Sequence, residues 1–305
     1  MKVLLTGATG FVGKHTFRKL IESGHEVLCT RRHTSDVKSV FLHGAEWVFT
    51  DDEGWKDTVR QFRPDTVIHC AWGGVDANNR SNWTMQLKNI LLQQELLDLA
   101  VECGTTQYLS VGSQAEYGTF DGCIDETCPA CPNTAYGAAK LACMDVARSF
   151  CELNGIRWFW FRLFPCFGEE ESDKWLIPST IKNMMCGGGM DFTPGEQKYA
   201  YLHIGQVAAV IAAAVTADAP NGVYNISSDR AISIKELLIK IRKEVNENFQ
   251  LKFGALPYRP GQTMHMQGDI TKVCRYIYPI DGSDFEDRMK QTITSFVKKY
   301  RNNDQ

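Results

Sequence analysis

Short apolar runs alternate with longer stretches of helical spacing through the first half of the chain. The apolar runs predict strands at residues 2–6, 25–30, 46–50, 66–71, 107–111 and 157–161. Apolar residues that recur every three or four positions predict helices at 11–23, 83–103 and 134–154, each with a glycine just beyond its end. This alternation predicts an α/β fold with a doubly wound parallel sheet that is covered by helices on both faces.

The regular alternation of predicted strands and helices ends near residue 164, and Gly and Pro are frequent beyond it. Helices are predicted at 177–185, 203–217 and 233–246, a strand at 223–226, and an irregular tail after them. We therefore predict two units. A dinucleotide-binding domain comprises residues 1–164 and 203–228, and a smaller, mixed α/β substrate-binding lobe comprises residues 165–202 and 229–305.

Composition and charge narrow the class of protein. The net charge is -3, and the 33 Lys and Arg residues are spread along the chain, which argues against nucleic acid as a partner. No apolar stretch is long enough to cross a bilayer, so we expect no membrane partner and a cytoplasmic location. The 11 cysteines are an odd number, typical of reduced thiols; Cys123, Cys128 and Cys131 lack a fourth ligand, so we predict no metal site.

The first predicted strand ends in a glycine-rich turn with the spacing TGxxGxxG. Glycines at this junction allow a tight turn and a close approach to a pyrophosphate, while the following helix offers its free N–H groups to the anion. We therefore expect a Rossmann-type dinucleotide site. The residues predicted to form it are Gly7, Thr9, Gly10, Phe11, Val12 and Gly13.

Tyr136 and Lys140 are four residues apart in a predicted helix, so their side chains share one face. A tyrosine with a pKa of about 10 is a poor base at neutral pH, and a neighbouring ammonium group favours its phenolate. The pair therefore predicts a general acid or base, Tyr136, supported by Lys140.

These motifs, with Ser113 at the end of the fifth predicted strand, resemble the extended short-chain dehydrogenase/reductase family over almost the whole chain. The resemblance implies an enzyme in which Ser113, Tyr136 and Lys140 are catalytic, and in which Tyr136 and Lys140 also bind the cofactor. It implies further cofactor contacts from Asp51 and Ala71, and a nucleotide sugar as substrate. It also implies substrate contacts from Asn89 and Ser113, and a homodimer formed by helices 83–103 and 134–154.

The substrate-binding motifs depart from the family pattern. Pro165 stands where relatives carry an Asn, and Tyr199 stands where many carry an Arg that holds the diphosphate. Arg259 is the remaining candidate for the diphosphate, because a guanidinium group pairs well with phosphate oxygens.

Two arginines end the second predicted strand, where relatives that use NAD carry an acid for the ribose hydroxyls. Arg31 and Arg32 would pair with a 2′-phosphate that an acid would repel. We therefore predict NADP, as NADPH, with NAD the less favoured cofactor.

The motifs also limit which reactions the predicted enzyme could catalyse. Sugar-nucleotide dehydratases of this family carry an acidic pair after the catalytic Ser or Thr, and Gln114 and Ala115 cannot perform that proton chemistry. Reduction of a 4-keto sugar by NADPH and 4-epimerisation with tightly bound NAD both need only Ser, Tyr and Lys. The two arginines favour the reductase. The non-enzyme alternative, a dinucleotide-sensing regulator, would not need Ser113, Tyr136 and Lys140 together.

Overall fold

The structure is a computed structural model that describes residues 1–35, 37, 39–76 and 78–303. Its strands are β1 (Lys2–Thr6), β2 (Glu26–Arg31), β3 (Glu46–Phe49), β4 (Thr66–His69), β5 (Gln107–Ser113), β6 (Gly122–Ile124), β7 (Arg157–Leu163), β8 (Cys166–Phe167), β9 (Gly189–Phe192), β10 (Lys198–Tyr199), β11 (Leu202–His203), β12 (Gly222–Ile226), β13 (Ile232–Ser233), β14 (Gln250–Phe253) and β15 (His265–Gly268). Its helices are α1 (Phe11–Glu22), α2 (Trp55–Phe62), α3 (Trp83–Cys103), α4 (Ala135–Leu153), α5 (Leu176–Cys186), α6 (Ile204–Ala214), α7 (Ile234–Val245), α8 (Thr271–Tyr276) and α9 (Phe285–Asn303). No helix of the described ranges combines the length and the apolarity needed to cross a bilayer.

A seven-stranded parallel sheet in the order β3-β2-β1-β4-β5-β7-β12 forms the centre of the fold. Successive residues of β1 face opposite sides, since Val3 and Leu5 pack with α1 and α6 whereas Leu4 packs with α3 and α4. Burial on both faces explains why the strands are almost wholly apolar. The predicted doubly wound α/β fold is therefore confirmed.

A separate hydrophobic cluster lies in the second half of the chain, built from α5, α7 and α9. The predicted irregular tail is wrong, because residues 285–303 form α9, a long amphipathic helix. Its buried residues recur every three or four positions, which is the period of one helix face. The apolar ones are Phe285, Met289, Ile293, Phe296 and Tyr300, and Thr292 is buried beside them. The boundaries proposed for the two units, 1–164 with 203–228 and 165–202 with 229–305, remain a prediction.

Two strands are longer than the sequence predicts, and the extension of one of them carries the predicted catalytic residue Ser113. β5 continues to Ser113 and β7 to Leu163, because the two strands stay paired through Ser113↔Leu163. Helix α4 begins directly after Thr134, whose side chain accepts a hydrogen bond from the Gly137 N–H. This cap fixes Tyr136 in the first turn of α4.

Candidate active site

A cleft of ≈ 480 Å³ opens where β1, β4, β5 and β7 end. Parallel sheets of this type bind ligands at the carboxyl ends of their strands. The predicted residues that line the cleft are Gly7, Gly10, Phe11, Val12, Gly13, Ser113, Tyr136 and Lys140. The structure thus brings the glycine-rich turn and the three predicted catalytic side chains into one cavity.

The glycine-rich turn fits an anion for two reasons. Gly7 has a left-handed backbone with a φ of 69°, and a Cβ on it would overlap the backbone of Ala71. A Cβ on Gly13 would overlap the Gly7 carbonyl, so the helix packs on the turn as closely as glycine allows. Gly10 precedes α1 and has no side chain to occupy the N–H groups of the first turn. These groups at the cleft wall are suited to a pyrophosphate.

The Tyr136 side chain is almost wholly buried at the centre of the cleft. Burial raises the pKa of its hydroxyl, while the Arg80 charge and the neighbouring Ser113 hydroxyl oppose that rise. The Arg80 guanidinium lies 4.8 Å from the centre of the Tyr136 ring, and the Arg80 carbonyl accepts the Tyr136 backbone N–H at 2.9 Å. Tyr136 therefore has a hydroxyl and a cation beside it.

Lys140 is held behind Tyr136 by two contacts. Its Nζ donates to the Val111 carbonyl at 2.6 Å and lies 3.6 Å from the centre of the Trp72 ring. Burial lowers the pKa of Lys140 to about 8, although one carbonyl and one aromatic face remain to stabilise the ammonium group. Arg80 is the cation that counteracts burial at the Tyr136 hydroxyl.

The turn that carries Ser113 is fixed by a buried acid. Glu116 has no exposed surface and accepts hydrogen bonds from the Ser113 N–H at 2.8 Å and from the Trp160 indole. It also pairs with Arg162, whose Nε lies 2.8 Å from its carboxylate. All these partners are protein groups, so Glu116 is satisfied within the protein and holds the turn that carries Ser113.

Comparison with known proteins gives the family. The sequence pattern of the NAD dependent epimerase/dehydratase family matches residues 3–227. The chain belongs to this family.

Several members of the epimerase/dehydratase family are similar to this chain over most of its length. A dTDP-6-deoxy-L-talose 4-dehydrogenase (NAD(+)) of Aggregatibacter actinomycetemcomitans is 25% identical, over 88% of this chain and 99% of the relative. A CDP-abequose synthase of Salmonella muenchen is 24% identical, over 90% and 91%. The solved UDP-glucose 4-epimerase of Thermotoga maritima with UDP-glucose is 22% identical and covers 98% of this chain and 99% of its own, with a TM-score of 0.88. The predicted family resemblance and Rossmann-like fold are confirmed.

The predicted adenosine-binding residues of this family member lie at the ends of β2 and β3, outside the lining of the cleft. The Arg31 guanidinium packs 4.4 Å from the centre of the Phe49 ring, while Arg32 is exposed. The Asp51 carboxylate accepts the His33 backbone N–H at 3.1 Å. Thr9 lies in the turn before α1. Contacts between these residues and a dinucleotide remain predictions.

The other residues predicted to contact cofactor or substrate lie outside the lining of the cleft. Asn89 is buried, and its side chain exchanges hydrogen bonds with the backbone of Gly73, at 2.8 and 3.0 Å. It therefore holds the loop that carries Trp72, and its direct contact with substrate stays a prediction. Ala71 donates its N–H to the Thr6 hydroxyl at 3.3 Å and joins the ends of β4 and β1. Arg259 is exposed. Its positive charge opposes the rise that burial causes in the pKa of Tyr199, a residue that lines the cleft.

The structure adds functional candidates that the sequence analysis missed. Arg80 lies between the rings of Tyr136 and Trp175, at 4.8 and 5.6 Å from their centres. Glu171 follows β8 and places a carboxyl group in the cleft wall. Both residues lie in loops without a recognisable motif, so the sequence carried no signal for them. The only available sign was a charged residue in a loop close to a predicted strand end or helix start.

Proposed function

We propose that this chain is an oxidoreductase acting on a nucleoside-diphosphate sugar, and that it reduces a 4-keto-(6-deoxy)sugar nucleotide with NADPH. The observation that carries the proposal is the convergence of Ser113, Tyr136 and Lys140 with the glycine-rich turn in one cleft. A protein that only senses a dinucleotide has no need of a buried tyrosine with a hydroxyl and a cation beside it.

The residues of the cleft divide the chemistry between them. A nicotinamide dinucleotide bound along Gly7, Gly10 and Gly13 would supply the hydride. Tyr136 donates its hydroxyl proton to the substrate oxygen as that oxygen gains negative charge, and Ser113 hydrogen-bonds the same oxygen. Arg80 then stabilises the phenolate that remains on Tyr136, since the guanidinium group is always charged.

Support for a reaction at a single carbon comes from the residues after Ser113. Gln114 lines the cleft and Ala115 follows it, and neither can remove a proton from carbon as a dehydratase requires. The 4-dehydrogenase among the relatives is named for oxidation at this same sugar carbon, and a ketoreductase runs that chemistry in reverse.

The proposed preference for NADPH over NADH depends on Arg31 and Arg32. The alternative is a 4-epimerase that retains NAD. A solved 4-epimerase shares the fold, and the dehydrogenase relative is named for NAD(+), so this alternative is a definite competitor.

The decisive experiment mixes purified protein with NADPH and a panel of 4-keto-6-deoxy sugar nucleotides that differ in nucleoside and sugar. Consumption of NADPH with one member, absent in the Tyr136→Phe variant, is the expected result. A second panel holds the corresponding 4-hydroxy sugar nucleotides, and interconversion of their 4-epimers without net change in the cofactor would favour the epimerase. Tight binding of a dinucleotide with no turnover of any sugar would favour the regulator.

We also propose that the chain forms a homodimer through α3 and α4. Trp83, Leu87 and Leu91 lie four residues apart on α3 and form one stripe, and Leu91 is 67% exposed. Light scattering should give twice the monomer mass, and Leu91→Glu should weaken the dimer. A wild-type monomer at micromolar concentration would contradict this proposal.

A further inference from the structure

The cleft contains a carboxyl group with one buried oxygen that no described residue satisfies. Glu171 lies in the loop between β8 and α5 and is 8% exposed. Its Oε2 is buried and, within the described part of the chain, has no hydrogen-bond partner. Among the described residues that line the cleft, Glu171 is the only acid. A buried polar atom without a partner is costly, so its retention in a ligand cavity calls for an explanation.

The surroundings of Glu171 keep it uncharged. Burial raises its pKa to about 8, so the carboxyl is protonated at neutral pH. Among the described residues, the pKa values of Cys166 of β8, Tyr201 before β11 and Tyr300 of α9 respond to the charge of Glu171. None of these groups is a cation, and burial raises the pKa of all three. The neutral acid can therefore both donate and accept a hydrogen bond.

The wall around Glu171 is mostly apolar. Phe164, Trp175, Leu176 and Ile177 line the same cleft and come from the end of β7 and from the start of α5. Such a wall suits the carbon skeleton of a sugar ring but offers few groups for its hydroxyls. Glu171 adds a carboxyl group to this wall, beside the hydroxyl of Tyr201.

We propose that Glu171 is a specificity-determining residue that hydrogen-bonds a hydroxyl group of the sugar part of the substrate. The inference rests on the proposed function, because it takes the cleft as the site of a nucleotide sugar. A hydroxyl donates one hydrogen bond and accepts others, as a neutral carboxyl does, so one pair satisfies both groups without burying a charge.

Two variants separate this role from a structural one. Glu171→Leu removes the polar group, and Glu171→Gln keeps a neutral donor and acceptor of nearly the same shape. Calorimetry would measure binding of the nucleoside diphosphate, with and without its sugar, to dinucleotide-loaded protein. We expect Glu171→Leu to weaken the sugar nucleotide by about 5- to 150-fold, the usual cost of an unmet hydrogen bond. The free nucleoside diphosphate should bind as in wild type.

The matched control is Glu170→Gln in the same loop, since Glu170 pairs with Lys14 at 3.1 Å and lies outside the cleft lining. We expect Glu170→Gln and Glu171→Gln to bind the sugar nucleotide within about threefold of wild type, a change below 1 kcal/mol. Because no partner is lost inside the protein, Glu171→Leu should melt no lower than wild type.

Four results bear on the inference differently. Equal losses in Glu171→Gln and Glu171→Leu would show that a charged carboxylate is required, and would overturn it. Equal weakening of the free nucleoside diphosphate would overturn it as well. Wild-type protein that binds the sugar nucleotide but turns nothing over would contradict the proposed function alone, while protein that binds no sugar nucleotide would overturn both.

Discussion

Glu116 and Glu171 are buried acids beside the same cleft, yet their surroundings are opposite. Glu116 accepts hydrogen bonds from Ser113 and Trp160 and pairs with Arg162, so the protein alone satisfies it. Glu171 has a buried oxygen without a partner in the described chain. Glu116 beside Ser113 is satisfied before any ligand binds, whereas we propose that a ligand satisfies Glu171.

The largest effect is expected at Tyr136, beside Ser113 in the cleft. Tyr136→Phe keeps the ring that packs beside Arg80 and Trp72 but removes the proton that the hydroxyl delivers. General acid groups contribute about 10²–10⁴-fold in rate, so kcat should fall by that factor with little change in KM. Steady-state kinetics on an identified substrate checks this. Near wild-type turnover would show that α4 does not carry the catalytic residue.

The next effect concerns stability and the partners of Glu116. Glu116→Gln removes the charge that Arg162 requires in a fully buried site, and breaking such a pair costs about 3–5 kcal/mol. The free energy of unfolding from denaturant titration would measure the loss. Glu102→Gln is the matched control, because Glu102 pairs with Arg60 at the surface, where such pairs contribute about 0–1 kcal/mol. Similar small losses in both variants would mean that water reaches the Glu116 site.

A smaller effect should appear at the predicted adenosine-binding residues, at the end of β2. Arg32→Ala should weaken NADPH far more than NADH, by about 1.5–3 kcal/mol, because a charge-assisted bond to the 2′-phosphate is lost. Arg31→Ala should show the same preference with an added loss for both cofactors, since Arg31 also packs on Phe49 and Trp47. Fluorescence titration with each dinucleotide gives both affinities. Equal losses for the two cofactors in Arg32→Ala would show that Arg32 does not read the phosphate.

The sequence predicts the dinucleotide side of the cleft better than the sugar side, for a physical reason. The glycine-rich turn and the Tyr136–Lys140 pair lie within single elements, so local spacing determines which face or turn they occupy. Arg80 and Glu171 reach the cleft from loops, and their neighbours are distant in sequence. A pattern read along the chain contains no signal for such contacts.

Helix α9, near the end of the chain, was not predicted for a different reason. Helix α9 has the period that indicated the other helices, with buried residues from Phe285 to Tyr300. Basic and polar residues fill the positions between them and lower the average hydropathy of the segment, so it reads as irregular when judged by composition. Counting positions instead of composition would have predicted the helix.

The remaining effect is a pH dependence that belongs to Glu171 alone. Burial raises the pKa of this carboxyl from 4.5 to about 8. Between these two values the folded chain keeps a proton that the unfolded chain has released, so the free energy of unfolding falls as pH rises. The slope from this group is at most about 1.4 kcal/mol per pH unit. Below pH 4.5 both states are protonated and the contribution is constant.

Glu171→Gln removes this slope, because the amide does not titrate. The variant should therefore gain stability relative to wild type as pH rises from 4.5 to about 8, and the two should differ by a constant amount below that range. Denaturant unfolding of both proteins at several pH values measures the difference, and every other titrating group cancels in it. A difference that does not change with pH would mean that Glu171 is ionised in the fold, so that solvent or a cation reaches it. The contrast with Glu116 would then not hold.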